Sequence, residues 1–260
     1  GVGVFLRRRL ARIVPLYWLT TTLFLVAMAL MPGAVRTEAG GLADVLRSYL
    51  FLPYLRADTG LVQPLYSLGW TLNYEMFFYV LFALGLMLPL GRGVALVVAL
   101  LTGLVLAGSV AGFTTVPFRF WSEPIVLEFA LGALIGLAYL RGWSLGRGAA
   151  LALAVGALAA FWLANPSGLL PSGWARLAGS GLPMAGLVAA VALAGPAPLS
   201  PVLRPLVTLG DASYALYLIH PMVIRPIALV WERVGPDASV VFVPVALVAS
   251  ALVALAVFLW

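Results

Sequence analysis

The sequence predicts an all-α fold: a polytopic membrane helix bundle with about eight transmembrane helices. Three observations lead there. Hydrophobic residues make up 63% of the 260 residues and charged residues only 9%, far below the roughly 25% of soluble domains. The apolar residues are gathered into runs, most of them near the roughly 17 to 25 residues that a bilayer requires. The 15 basic residues are all Arg and sit at the ends of those runs, where basic side chains set topology. In a soluble domain a formal charge of +6 would suggest nucleic acid; in this setting no nucleic-acid partner is expected.

In chain order, Phe5 to Trp18 places Arg7, Arg8, Arg9 and Arg12 immediately before an apolar run that ends near Met31. Residues three and four apart share a helix face, so Arg9 and Arg12, with Arg8, form one guanidinium stripe at a membrane surface. Charge alone suits a positive-inside anchor, whereas clustered planar forks also suit a pyrophosphate. From Pro32 to Gln63 the composition turns polar, with Arg36, Glu38, Asp44, Arg47, Arg56 and Asp58. A surface helix around Leu42 to Leu52 is expected there. The remaining runs are Trp70 to Leu88, Val94 to Phe113, Ile125 to Leu140, Ala149 to Leu163, Gly181 to Ala194, Ser213 to Trp231 and Val240 to Trp260. With no repeat and no sign of a second domain, residues 1–260 are expected to form a single transmembrane domain.

The segment Gln63 to Ala83 organises the chain. It opens on Pro64 and Gly69, then runs apolar to Pro89, and carries one carboxylate, Glu75. On a helix, Thr71 and Tyr79 lie one turn to either side, within reach of that carboxylate. An ionisable group at such depth is destabilising unless it faces a wet cavity or a partner. Glu75 is therefore either a functional group or a structural carboxylate paired with an Arg of another helix. Further on, Glu123 and Pro124 begin a helix with Pro in its first turn, Glu128 stands one turn in, and Gly132 and Gly136 have the spacing of close helix packing. In Leu209 to Ile224, Asp211 occupies an N-cap position. Ser213, Tyr217 and His220 form a polar stripe, and Pro221 frees the Tyr217 carbonyl, predicting a kink near His220. That histidine either makes a structural hydrogen bond or takes part in function.

The absence of Cys excludes disulfides and thiolate chemistry. With a single His in the chain, a histidine-rich metal site is not expected either. Charge distribution gives an orientation: if the Arg9 and Arg12 end is cytoplasmic, Arg92, Arg141, Arg147 and Arg204 fall on the same side, in short loops without carboxylates.

Three blocks together resemble the membrane-bound acyltransferase 3 family, nearest to its exopolysaccharide-production and sugar O-acetyltransferase branch. They are Phe5 to Trp18, Gly69 to Tyr79 and Leu209 to Pro221, and their order and apolar filler fit nearly the whole chain. The resemblance implies transfer of an acyl group, usually acetyl, from cytoplasmic acyl-CoA to a hydroxyl of an envelope saccharide or its lipid-linked precursor, in the bacterial inner membrane. The family's R-x-x-R element falls on Arg9 and Arg12, on the acyl-CoA side. Its tryptophan and glutamate fall on Trp70 and Glu75, and its tyrosine and histidine on Tyr217 and His220. Glu75 and His220 are thus the catalytic candidates; Arg9, Arg12, Trp70, Asn73, Tyr79 and Tyr217 are the candidate substrate-binding residues. Acyl-CoA is expected as co-substrate, with no tightly bound cofactor.

Family members begin with a helix bearing a histidine taken as the catalytic base, and that helix has no counterpart here. The chain opens just before the Arg stripe, so the domain is expected to be incomplete at its N-terminus and inactive alone. Glu75 then either acts as the base or orients a histidine supplied from upstream. The rival reading is a glycolipid or polysaccharide-precursor transporter or flippase without chemistry, which also uses intramembrane charge and broken helices.

Overall fold

The computed structural model describes residues 1–30, 40–169, 171–195, 201–234 and 239–259. Among them there is no strand, only an isolated antiparallel bridge between Leu55 and Val62. The helices are α1 (Val2–Leu30), α2 (Leu42–Tyr49), α3 (Trp70–Gly85), α4 (Leu90–Ala111), α5 (Val116–Trp121), α6 (Leu127–Leu140), α7 (Arg147–Ala164), α8 (Gly173–Arg176), α9 (Leu182–Ala192), α10 (Arg204–Asp211), α11 (Ser213–Val234) and α12 (Ser239–Leu259). Arg36 and Glu38 of the polar stretch lie outside the described residues.

All eight expected runs are helical, but only six described segments are long and apolar enough to cross a membrane. The two that fall short are α3, with 16 residues, and α6, with 14. At 1.5 Å per residue α3 is about 24 Å long, less than a bilayer core of about 30 Å. The runs that look shortest in sequence gain length instead from flanking polar residues: Arg147–Ala164 and Gly173–Ala192 are both full-length spans.

The described chain falls into two compact units, Gly1–Leu10 with Gly40–Ala197, and Ala11–Ala39 with Pro198–Trp260. In the first, the core is built from Tyr74, Val97, Leu101, Val105, Phe120, Val126 and Ala130, drawn from α3, α4, α5, the Pro124–Val126 turn and α6. The α3–α4 corner depends on glycine. A Cβ at Gly85 would sit 2.9 Å from the Gly93 carbonyl oxygen, and one at Gly93 would collide with the Gly85 carbonyl. Gly132 and Gly136, by contrast, would meet nothing within 4 Å if they carried a Cβ. The close packing expected of that pair is therefore found at Gly85 and Gly93 instead.

The stretch before α3 is a clasp held by a few buried residues. The helix expected around Leu42 to Leu52 forms as α2, with Arg47 and Asp44 paired at 3.1 Å. Ser48 Oγ donates to Asp44 O at 2.8 Å and accepts the Leu65 amide at 3.0 Å. A hydroxyl has one proton to give, so the Tyr54 hydroxyl, 3.0 Å away, is the donor to Ser48. Arg56 is only 4% exposed. Its guanidinium is paired with Asp58 and donates to Leu65 O at 3.3 Å. These bonds fix the entry into α3.

In the second unit, α11 and α12 pack through small residues, with Ala215, Ile219 and Ala254 buried and Leu16 against them. Small side chains let membrane helices approach closely. Tyr214 donates its hydroxyl to Ile13 O at 2.7 Å, tying α11 to the Ile13 stretch of α1. Asp211 does not cap α11; it is the last residue of α10, and the Ala212 carbonyl accepts the first α11 bond.

Candidate functional site

The first unit brings together Arg9, Tyr79 and Glu75. Phe5 of α1 lies against Tyr79 and Phe82 of α3, with ring centroids 5.8 and 5.2 Å away. One turn later, the Arg9 guanidinium carbon stands 5.4 Å from the centre of the Tyr79 ring. Tyr79, 6% exposed, donates its hydroxyl to Glu75 Oε1. The partner expected one turn after Glu75 is therefore in place. Thr71, the partner expected one turn before it, donates to Leu68 O at 3.2 Å.

Electrostatically the three form a relay. A phenol that donates to a carboxylate carries more negative charge on its ring, and a ring face attracts a cation. Glu75 thus strengthens the hold of Tyr79 on Arg9, and among the described residues the carboxylate makes no direct ion pair. Glu75 is partly buried, whereas Arg7, Arg8 and Arg9 are exposed. The site therefore presents exposed guanidinium groups at its surface and a carboxylate one layer in. Trp70 and Asn73 stand on the first half of α3, away from Arg9; Trp70 packs edge-on to Tyr74 at 6.0 Å. Asn73 is 1% exposed, and both of its polar side-chain atoms lack a hydrogen-bond partner.

Arg12, Tyr217 and His220 belong to the second unit. Arg12 is exposed. On α11, which runs unbroken through Pro221 and Pro226, the rings of Tyr217 and His220 are 6.5 Å apart. Pro221 has no amide for the Tyr217 carbonyl, and the His220 side chain takes its place: Nδ1 lies 2.9 Å from Tyr217 O and 3.1 Å from Leu216 O. Carbonyls only accept, so Nδ1 carries the proton, and the lone pair of the neutral ring is on Nε2. Proline thus sets the tautomer that leaves Nε2 able to take a proton.

Sequence reasoning missed Arg176, whose Nε lies 3.4 Å from Glu128 Oε1, and the buried indole of Trp121. Arg176 looks like one more loop Arg, and Trp121 precedes a helix start without any periodic signal. Only their packing marks them. Among the described residues no group of three or more His, Cys, Asp or Glu could hold a metal ion.

The acyltransferase domain family matches residues 1–259. The exopolysaccharide production protein ExoZ of Rhizobium meliloti (strain 1021) is 35% identical over 244 residues, covering 90% of this chain and 72% of that protein. The acyltransferase MdmB of Streptomyces mycarofaciens is 31% identical over 252 residues, covering 86% of this chain and 62% of that protein. No solved structure matches significantly. With its apolar helices and a family match across nearly its whole length, the chain belongs to the acyltransferase 3 family and is a multi-pass membrane acyltransferase.

Proposed function

We propose that this domain moves an acyl group, acetyl in the first instance, from cytoplasmic acyl-CoA to a hydroxyl of an envelope saccharide, exopolysaccharide or lipid-linked precursor at the bacterial inner membrane. The observation that carries the reading is the Arg9–Tyr79–Glu75 relay, which joins an exposed guanidinium to a carboxylate within one helix turn. Similarity to an exopolysaccharide production protein supports the class of acceptor.

Arg9 and Arg12 hold the phosphates of the CoA moiety, for which planar guanidinium forks are suited. With the Arg end cytoplasmic, the stripe faces the compartment that contains acyl-CoA. The acceptor oxygen attacks the thioester carbonyl carbon, the C–S bond breaks, and CoA leaves as the thiolate. The hydroxyl proton passes to a base as the new C–O bond forms and then to the thiolate sulfur. Glu75 takes that proton directly or orients the group that does, with Tyr79 fixing its rotamer. His220, proton-bearing at Nδ1, is the second candidate through Nε2. Trp70 and Tyr217 supply aromatic surface, and Asn73 an amide, for substrate contacts. Acyl-CoA is a consumed co-substrate, and no tightly held cofactor is needed.

The test uses the full-length protein in inverted membrane vesicles supplied with acetyl-labelled acetyl-CoA. Label on a saccharide fraction, lost in Glu75→Gln, is the expected result. Translocated but unmodified glycolipid, with no label transferred, would favour a carrier and sink the proposal.

A further inference from the structure

The first half of α3 lies against the end of α5. Tyr74 stacks on Phe120 with centroids 3.9 Å apart, and Phe77 stacks on Trp121 at 5.0 Å. From there the chain passes exposed Glu123 and buried Pro124 into α6, where Glu128 meets Arg176 of α8. The Pro124–Val126 turn, directly after Glu123, packs against α8, which carries Arg176, and Val126 shares its buried core with Tyr74, so these groups lie in one region of the first unit.

A purely structural cluster would satisfy its own polar atoms; this one does not. Arg–carboxylate pairs built for stability are short and often bidentate. This pair is 3.4 Å long, and Arg176 Nε and Glu128 Oε1 are buried atoms without a hydrogen bond. The Trp121 indole Nε1 is also buried and unpartnered, as are both polar atoms of Asn73. Asn73 stands one turn before Phe77 on the same helix face, next to the ring on which Trp121 stacks. Buried groups left unsatisfied in a folded protein call for an explanation.

The backbone points the same way. Directly after Arg176 the helix widens into a π turn, Leu177–Gly181, a feature that occurs mostly where function re-aims a side chain. Asn165 holds it, its Nδ2 donating to Phe161 O at 2.8 Å and to Gly179 O at 2.9 Å. The turn presses Gly181 against Glu128, where a Cβ would come within 3.2 Å of Cγ and Oε1.

We propose that Asn73, Tyr74, Trp121, Glu123, Glu128 and Arg176 form the subsite that receives the saccharide acceptor. The chemistry selects an uncharged polyol. Sugar hydroxyls can donate to the carboxylates and accept from the guanidinium and the indole N–H, satisfying acceptors and donors together, which a simple ion cannot do. Aromatic rings beside such donors suit the apolar face of a sugar. Exposure falls from Glu123 at the rim, through Glu128 and Arg176 at 33% and 26%, to Asn73 at 1%. Arg9 meets α3 in its second half, at Tyr79. Donor and acceptor would then reach Glu75 from opposite ends of one helix. This assignment rests on the acyl-transfer reading.

The experiment is saturation-transfer NMR on the full-length protein in lipid nanodiscs, with methyl β-D-glucoside and methyl β-D-galactoside as probes and acetyl-CoA binding measured in parallel. The native protein should transfer magnetisation to at least one glycoside. Trp121→Phe, which keeps the ring but removes the N–H, and Glu128→Gln should each weaken that binding about tenfold, with acetyl-CoA affinity and melting temperature unchanged. No transfer to either glycoside, or transfer undiminished in both variants, overturns the subsite. In that event, acetyl-CoA binding that still depends on Arg9 leaves the acyl-transfer reading standing; its absence in the native protein sinks that reading as well.

Discussion

Two sets of polar groups on and beside α3 are treated in opposite ways. Glu75 accepts from Tyr79, whose ring faces Arg9, and each group in the relay has a partner. Asn73, nearer the start of the helix, and Trp121, which stacks on Phe77 one turn beyond it, keep buried polar atoms with none. The same helix is therefore preorganised around Glu75 and left open at Asn73, towards its start. Where chemistry is done, a fixed geometry is an advantage because nothing has to reorganise during reaction. Where a substrate is taken up, unpaired groups give specificity, since a ligand that satisfies them removes a standing penalty.

The sharpest break of that contrast is Glu75→Gln. It keeps the shape and the acceptor oxygen but removes the charge, so acetyl transfer should fall by about a thousandfold, or about 4 kcal/mol of barrier, at an unchanged melting temperature. Activity within tenfold of native would make Glu75 a structural partner only. Replacing both Arg9 and Arg12 with Ala should raise the KM for acetyl-CoA by about two to four orders of magnitude, since charge-assisted phosphate contacts contribute roughly 1.5–3 kcal/mol each. Added salt should mimic the loss in part.

Gly93→Ala asks whether both sets depend on the α3–α4 corner. Its Cβ would run into the Gly85 carbonyl, and overpacking of this kind is destabilising by about 1–3 kcal/mol; thermal unfolding in detergent reads it directly. Asn73→Leu sharpens the comparison from the open end. Exchanging an unpaired buried amide for an apolar side chain of similar size should raise stability by about 1 kcal/mol while weakening acceptor use. A fall in melting temperature would mean that the amide has a structural partner.

The smallest effect concerns the clasp that leads into α3. Burial raises the Tyr54 phenol above its ordinary value. A raised folded-state value means that its contribution is intact below about pH 10 and is lost as pH climbs through the folded value. Tyr54→Phe should flatten the alkaline fall in stability by a few tenths of a kcal/mol, visible in melting curves taken across that range.

Much of this was legible beforehand for a physical reason. A charge inside an apolar run stands out in any hydropathy pattern, and the i+4 spacing from Glu75 to Tyr79 fixes their contact without tertiary information. His220 beside Pro221 is equally local, because the missing amide and the imidazole that replaces it are neighbours in sequence. Arg56 was not legible. Its spacing from Asp58 shows a surface pair, whereas the fold buries it against carbonyls eight and nine residues away.

By itself the sequence determined the all-helical class, the position of the apolar runs, the Glu75–Tyr79 pair and the family, because these depend on composition, period and motif. Tertiary structure alone decided that Arg9 rests on Tyr79, that α3 and α4 meet at Gly85 and Gly93, that Trp121 stacks on Phe77 and that Arg176 meets Glu128. These are contacts between residues distant along the chain. Their partners are chosen by how helices pack, and no local spacing in the sequence encodes that choice.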